Sequence, residues 1–590
     1  MSAPSTGPAK PALPTSVEEL QALLIAERER AALLEQERDN LRASHERLRQ
    51  ELELWKRRLF IAKAERADNE KQLRLEFAEK VRRLDALAGA LGIPAEHEEP
   101  GQDEGTPAAD GKPRGKRKHN RGTGRRKLQD LPLPVERIEI ADPHLEQLVL
   151  QGKCTRHGFE ERSTIGHRRA SKCRVVIARV RYKTVDAEGN TDVIASPMPA
   201  ELLSGSLAAP SLSAHVIMEN IGKGLPLFRL EDGFARDGIR LDRASLCRWK
   251  KQVGDKLSET VVRAMSEHAR ATAFCISTDA TGVAVQPIYS HEKGSGPSKK
   301  GHFLVMIADR DHIVYEYLAR ETGIAIYERF RGFSGYVQAD AKSVFNLLFD
   351  DERQLKQKEP DLEPDGCTRT EVGCWYHCRR RFWEAAVAKC AIGREGLARI
   401  GRIFKLDESW KDQPPAEIKR LREQHLTAHV AGFCAWVAEQ RDVFRDRRGY
   451  TRSALEYASN QREVLQRFFD DGRLVLTNNG AERALKTVAL GRKAWLFCGS
   501  DDHAKSTAAL YSVVASARLH GLDPEEYLRC LIRLVPLWPA DRMLELTPLF
   551  WARTRARLDE RQLGAEFGHI DIPSEPLDLD TASEQQSAAG

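Results

Sequence analysis

Phe274-Cys-Ile-Ser-Thr-Asp279-Ala-Thr-Gly-Val-Ala-Val-Gln286 is an apolar stretch with one carboxylate in its middle. Its apolar and β-branched residues predict a buried strand. An acid at such a place is costly unless it is paired or holds a metal. Gly301 to Asp309 and Ile313 to Leu318 predict two more strands with hairpin spacing, and Gly335-Tyr-Val-Gln-Ala-Asp340 ends a fourth in a second acid.

Three antiparallel strands followed by a fourth that carries an acid match the order of a ribonuclease-H-like fold. In that order the first and fourth strands are neighbours, so Asp279 and Asp340 would meet. A third acid lies far downstream in Thr477-Asn-Asn-Gly-Ala-Glu482-Arg-Ala-Leu-Lys-Thr-Val-Ala-Leu-Gly-Arg-Lys-Ala-Trp-Leu-Phe-Cys-Gly-Ser500. Asn478 or Asn479 is expected to cap a helix whose first turn presents Glu482 beside Arg483 and Lys486. By itself this is either a phosphate-site pattern or an ordinary first-turn Glu complementing the helix dipole.

The rest of the chain divides by composition. At 590 residues several domains are expected. No apolar run is long enough for a membrane span, and residues 1–14 lack the pattern of a secretory signal, which gives a cytoplasmic, nucleoid-associated expectation. The eleven cysteines are scattered through apolar strings, as reduced core thiols are. A net charge of +6 says little, but Lys112, Arg114, Lys116, Arg117, Lys118, Arg121, Arg125, Arg126 and Lys127 form one basic run. That run is either solvated surface or a DNA-phosphate contact, for which Arg125, Arg126 and Lys127 are the candidates.

Residues 15–91 are expected to form a coiled coil: Leu20, Glu27, Leu34, Leu41, Leu48 and Trp55 alternate with Leu24, Ala31, Arg38, His45, Leu52 and Leu59 as an a/d seam, weakened at Arg38 and His45. Self-association into a homodimer or higher oligomer follows. Residues 92–134 read as a disordered linker with a basic end, and 135–204 as a small β-rich module with a turn at Glu188-Gly189-Asn190. Within 205–265, Leu227 to about Ala235, an Asp237-Gly238 turn and a second helix capped by Asp242 predict a helix-turn-helix. Its second helix would bring Arg243, Arg248 and Lys250 to a major groove.

These segments together resemble the transposases of the insertion sequence 66 family. The likeness runs from Pro197 to about Trp551 and rests on Leu225-Pro-Leu-Phe-Arg229, the Asp340 strand, Val372-Gly-Cys-Trp-Tyr-His-Cys-Arg-Arg-Arg-Phe382, the Asn478-to-Ser500 block, Ala509-Leu-Tyr-Ser512 and Gly521-Leu-Asp-Pro524. The family's acidic triad falls on Asp279, Asp340 and Glu482. What this implies is a DDE transposase that cleaves and joins DNA strands with two Mg²⁺ or Mn²⁺ ions, acting on the terminal repeats of its element and on target DNA. Arg483, Lys486, Arg492 and Lys493 beside the third acid are DNA-contact candidates. Companion proteins of the same element are also implied. Cys374 and His377 resemble the cysteine and histidine that follow the second aspartate in several transposase families, a structural signature rather than a zinc site. The family's usual pairs of Cys-x-x-Cys before the helix-turn-helix are absent; Cys154 and Cys173 stand alone with His157 and His167 nearby, and zinc is not predicted.

The fold class expected is multi-domain α+β. The catalytic domain would span 270–350 and 471–535, with a helical insertion at 351–470 and an extension and tail at 536–590, disordered after about Asp571. The rival readings are a non-catalytic dimeric DNA-binding protein and a structure-selective nuclease of the same fold.

Overall fold

The computed structural model describes residues 133–168, 171–185, 191–286, 298–388, 390–445 and 449–579, and part of 27–39. The described positions between 27 and 39 are helical; the rest of the expected coiled coil, and the basic linker with Arg125, Arg126 and Lys127, lie outside the described residues. The chain is mixed α/β with two mixed sheets and divides into two compact units. Among the described residues no helix is long and apolar enough to cross a membrane.

The larger unit holds both sheets. Its first sheet is built on the long hairpin of β2 (Cys154–Arg168) and β3 (Ser171–Val185). β1 (Val135–Ile140) runs parallel to one half of β3, and β4 (Thr191–Ala195) antiparallel to the other. The short helix α1 (Pro143–Leu150) covers Cys154, Val180 and Tyr182, whereas Cys173 packs with Val175, Ile177, Ala209 and Phe567. The two cysteines therefore fill separate apolar clusters.

Helix α2 (Pro210–Ile217) leads to a helical pair, α3 (Leu227–Arg236) and α4 (Arg243–Leu257). Gly238 between them has φ +77°, a conformation open to glycine, and Asp242 caps α4 by accepting the Ser245 N–H at 3.0 Å. Leu230, Phe234, Ile239, Leu241, Leu246 and Trp249 form the pair's core.

After α5 (Arg263–Thr272) comes the central sheet, in the order β7-β6-β5-β8-β9, made of β5 (Cys275–Val285), β6 (Lys299–Ala308), β7 (His312–Leu318), β8 (Gly335–Gln338) and β9 (Arg369–Val372). β5, β6 and β7 are antiparallel; β8 joins the other edge of β5 in parallel, and β9 joins β8 in parallel. The first and fourth strands are thus neighbours, as expected from the sequence. β9 falls inside the stretch expected to be helical, 351–470. Its sequence, Arg-Thr-Glu-Val, is too polar to read as a strand, because what seats it is an ion pair. The Arg369 guanidinium and Asp365 are both buried, and Arg369 also donates to the Phe330 carbonyl at 2.9 Å, at the end of α6 (Gly323–Phe330).

Two long helices complete the layer. α7 (Asn479–Trp495) lies on β5 and β6, and α8 (Asp501–Leu519) on β7. An edge strand leaves N–H groups that must be satisfied. On β7 these are Ile313 N–H and Tyr315 N–H, which donate to Ser516 Oγ and Ser512 Oγ, each at 2.8 Å. The match is geometric: four residues of helix rise about 6 Å, and two residues of strand about 6.7 Å. α9 (Pro524–Leu534) follows and packs on α2 and α8. Beyond it, residues to 579 are held by hydrogen bonds from Arg542 Nη1 to the Pro573 carbonyl, 2.8 Å, and from Leu577 N–H to Glu545 Oε1, 3.0 Å. The expectation of disorder after Asp571 is corrected that far. The smaller unit, His377–Ser409 with Arg422–Arg462, is helical, with Phe382, Phe433 and Trp436 packed ring to ring.

Burial opposes ionisation of Asp365, but the Gly332 N–H, the Arg369 guanidinium and the Tyr327 hydroxyl outweigh it and hold the carboxyl at about 2. A carboxyl depressed on folding contributes stability above its unfolded value, about 3.9, and loses it as pH falls to the folded one. Asp365→Asn is therefore expected to lower the urea midpoint at pH 7, with the gap to wild type closing between about pH 4 and pH 2. A gap that stays constant across that window would contradict this account of β9.

Candidate active site

The site is assembled by laying α7 along β5, with three tethers. At the near end, Asn478 is fully buried and its Nδ2 donates to the Thr278 carbonyl at 2.7 Å. Near the last turn, Arg492 Nη1 donates to Thr281 Oγ1 at 3.0 Å and to the Gly282 carbonyl. Past the helix, Cys498 pairs with the end of β5: its N–H donates to the Ala284 carbonyl at 2.9 Å and its carbonyl accepts the Gln286 N–H at 2.8 Å. Asn478 thus holds the N-cap position without capping, since its side chain makes no cap hydrogen bond. Its amide is spent on the strand, and the expected capping role is corrected.

The same tethers set where the acids stand along their elements. Glu482 is four residues, about 6 Å, along α7 from Asn478, and Asp279 is one residue, about 3.3 Å, along β5 from the tethered Thr278. On the other side, the parallel register pairs Ser277 with Gln338, whose side chains meet at 3.4 Å. Two residues further along each chain stand Asp279 and Asp340. Gln338 is itself buried and donates to the Val475 carbonyl at 2.7 Å, which fixes the approach to α7. Cys374 is buried and its sulfur accepts the Asn478 N–H at 3.2 Å, while Trp375 N–H donates to the Leu476 carbonyl at 2.9 Å. The segment after β9 therefore also positions the start of α7. His377, three residues on, lies in the helix Trp375–Val387.

One cation sits among the carboxylates. Lys342 Nζ donates to Asp279 Oδ1 at 2.9 Å. Burial works against its charge, but Asp279, Glu321 and Asp340 outweigh it and raise it above the usual lysine value. Sequence reading missed Lys342 and Gln338 and gave Asn478 a different role, because the partners of these single polar residues are remote in sequence. For Lys342 the available signal was its place two residues past Asp340.

The basic candidates separate by direction. Arg483, Lys486 and Lys493 are exposed on α7, and Arg243 and Arg248 on α4. Lys250 is turned inward: its ammonium donates to Asn220 Oδ1 at 3.0 Å, and burial lowers its pKa. Arg492 is likewise occupied by β5. Asp309, at φ 48°, accepts the Phe274 and Cys275 N–H groups at 2.7 and 3.0 Å and so braces the start of β5.

Asn478→Ala leaves the buried Thr278 carbonyl without its donor, a loss of about 1–3 kcal/mol. The expected result is a lower urea midpoint, with exchange protection lost first in the opening turns of α7. Unchanged protection there would contradict the tether.

Residues 205–506 match the family model described as the transposase IS66 family. The chain is similar to the uncharacterized proteins y4qI and y4hP of Sinorhizobium fredii (strain NBRC 101917 / NGR234). It is 26% identical to y4qI over 391 residues, 64% of this chain and 68% of that one. To y4hP it is 24% identical over 384 residues, 61% and 65% respectively. No solved structure matches significantly. The matched region takes in α3, α4, the whole central sheet and all of α7, the elements that carry Asp279, Asp340 and Glu482: this chain belongs to the IS66 family of transposases.

Proposed function

We propose that the chain is the transposase of a mobile element, binding element ends and catalysing cleavage and transfer of DNA strands at a metal centre of Asp279, Asp340 and Glu482. The observation that carries this reading is the Lys342 ammonium seated on Asp279 in the field of Asp340. A carboxylate cluster that already holds one positive charge is built for cations. The strand order supports a ribonuclease-H-like reading of the central sheet, with Asp279 in the middle of its first strand and Asp340 just past the end of its fourth.

The donors are carboxylate oxygens, which suit Mg²⁺ or Mn²⁺. Bound there, a pair of such ions would supply activation of the attacking oxygen and stabilisation of the leaving one. The protein's own part is placement. Asp279 and Asp340 are fixed by β-sheet register, and Glu482 by the tethered first turn of α7, whose dipole favours a nearby phosphate. Arg483 and Lys486 extend that positive end toward the DNA backbone, with Lys493 about two turns further along on the face of Lys486. Lys342, once released from Asp279, is placed to pair with a phosphate oxygen. Strand transfer is direct, without a protein–DNA covalent bond. On α4, Arg243 and Arg248 face the duplex as a helix-turn-helix would present them; Lys250 and Arg492 are left out because the fold uses them internally. Residues 15–91 dimerise the chain, and Arg125, Arg126 and Lys127 add phosphate contacts.

Glu482→Gln, Asp279→Asn and Asp340→Asn are each expected to bind element ends and to lose cleavage and joining in Mg²⁺. Their effects should not add, because the acids act as one unit. Asp309→Ala should lose stability and keep its chemistry. Normal cleavage by Glu482→Gln would sink the triad.

Arg248→Ala is expected to relax sequence preference, whereas neutralising Arg125, Arg126 and Lys127 together weakens binding to every sequence and flattens its salt dependence. Titrations at several salt concentrations separate the two. Equal losses on all sequences from Arg248→Ala would remove α4 from the groove. Light scattering of a chain lacking 15–91 tests the coiled coil: its oligomeric state should fall, and an unchanged mass would place assembly elsewhere.

A further inference from the structure

Away from the acids, the larger unit brings together two histidines and a glutamate from three elements: His167 near the end of β2, His215 on α2 and Glu525 in the first turn of α9. His215 Nδ1 lies 3.1 Å from Glu525 Oε1, and His167 Nε2 lies 3.6 Å from the same oxygen. One ligand atom from each residue lies within 4.8 Å of the others. Around a tetrahedral zinc, with bonds of 2.0–2.1 Å, ligand atoms stand about 3.3 Å apart. The two measured separations bracket that edge. The imidazoles are stacked, centroids 3.6 Å apart, so rotation of a ring about its Cβ–Cγ bond is needed to point both nitrogens at one ion.

We propose that His167, His215 and Glu525 form a transition-metal site, selective for Zn²⁺-class ions and separate from the acidic centre. Two imidazoles and one carboxylate are a borderline-soft set that prefers zinc over magnesium. His167 Nδ1 is buried without a hydrogen-bond partner among the described residues. The main-chain N–H of His167 donates to Ser211 Oγ at 2.8 Å, which fixes β2 against α2. A cavity of about 410 Å³ opens beside His167 and Glu525, lined also by Ser211, Arg529 and Glu566, and has room for a water as fourth ligand. The ion would staple the first β-sheet, α2 and α9 together. No sequence spacing connects its ligands.

The site does not depend on the transposase reading and is tested apart from it. Full-length protein is dialysed against micromolar zinc in excess Mg²⁺, which saturates the acidic centre, and zinc per chain is counted by mass spectrometry. Wild type is expected to retain one zinc that a His167→Gln/His215→Gln variant lacks, and its thermal midpoint should rise with zinc while that of Glu525→Gln does not. Cobalt(II) in place of zinc should give the visible bands of a four-coordinate ion without thiolate charge transfer. Should the double variant fail to fold, Glu525→Gln and the cobalt spectrum of wild type decide. No retained zinc, equal zinc in the double variant, a thiolate band, or an equal thermal shift in Glu525→Gln would each overturn the proposal.

Discussion

The hydrogen bond from Asn478 to the Thr278 carbonyl is the constraint on which the site depends. β5 brings one acid and α7 another, and a long stretch of chain separates them. A buried carbonyl needs a donor, and the residue that meets this one is Asn478, at the N-cap of α7. Satisfying it sets the helix on the strand at one level, and the tethers from Arg492 and Cys498 then fix its direction. Gln338 and Cys374 brace the same junction from the β8 and β9 side. Side chains with no chemical role of their own decide whether Glu482 faces Asp279.

The electrostatics follow from that geometry. Like-charged carboxylates on neighbouring strands, Asp279 inside β5 and Asp340 two residues past β8, repel one another, and Lys342 offsets this by pairing with Asp279. Elsewhere in the sheet, charge is used for structure: the buried Arg369–Asp365 pair seats β9, and Asp309 supplies the start of β5 with its acceptors. Asp309 and Asp365 accept main-chain N–H groups remote in sequence, whereas Asp279 accepts the N–H of its neighbour Ala280 together with the Lys342 ammonium.

Much of this was legible in the sequence where a signal repeats. β5 to β8 show as apolar runs ended by turn residues, α3 ends at the Asp237-Gly238 turn, and α4 begins at its Asp242 cap. Single polar residues were not legible, because their roles depend on partners remote in sequence. Asn478 looks like a cap and is a tether; Lys250 and Arg492 look like DNA contacts and point inward. β9 was invisible as a strand since its stability comes from Arg369 finding Asp365 and Phe330, not from apolar alternation. His167, His215 and Glu525 share no spacing, and only the packing of α2 and α9 on the first sheet unites them.

The central claim is that Asp279, Asp340 and Glu482 converge on one cation centre, and localised backbone cleavage tests it most directly. Fe²⁺ substituted for Mg²⁺, with peroxide and ascorbate, generates hydroxyl radicals that cut only the main chain beside the bound ion. The account predicts three groups of fragments, with ends near residues 279, 340 and 482, all suppressed by excess Mg²⁺. Cuts near 279 and 340 without any near 482, or cuts that Mg²⁺ leaves unchanged, would contradict it.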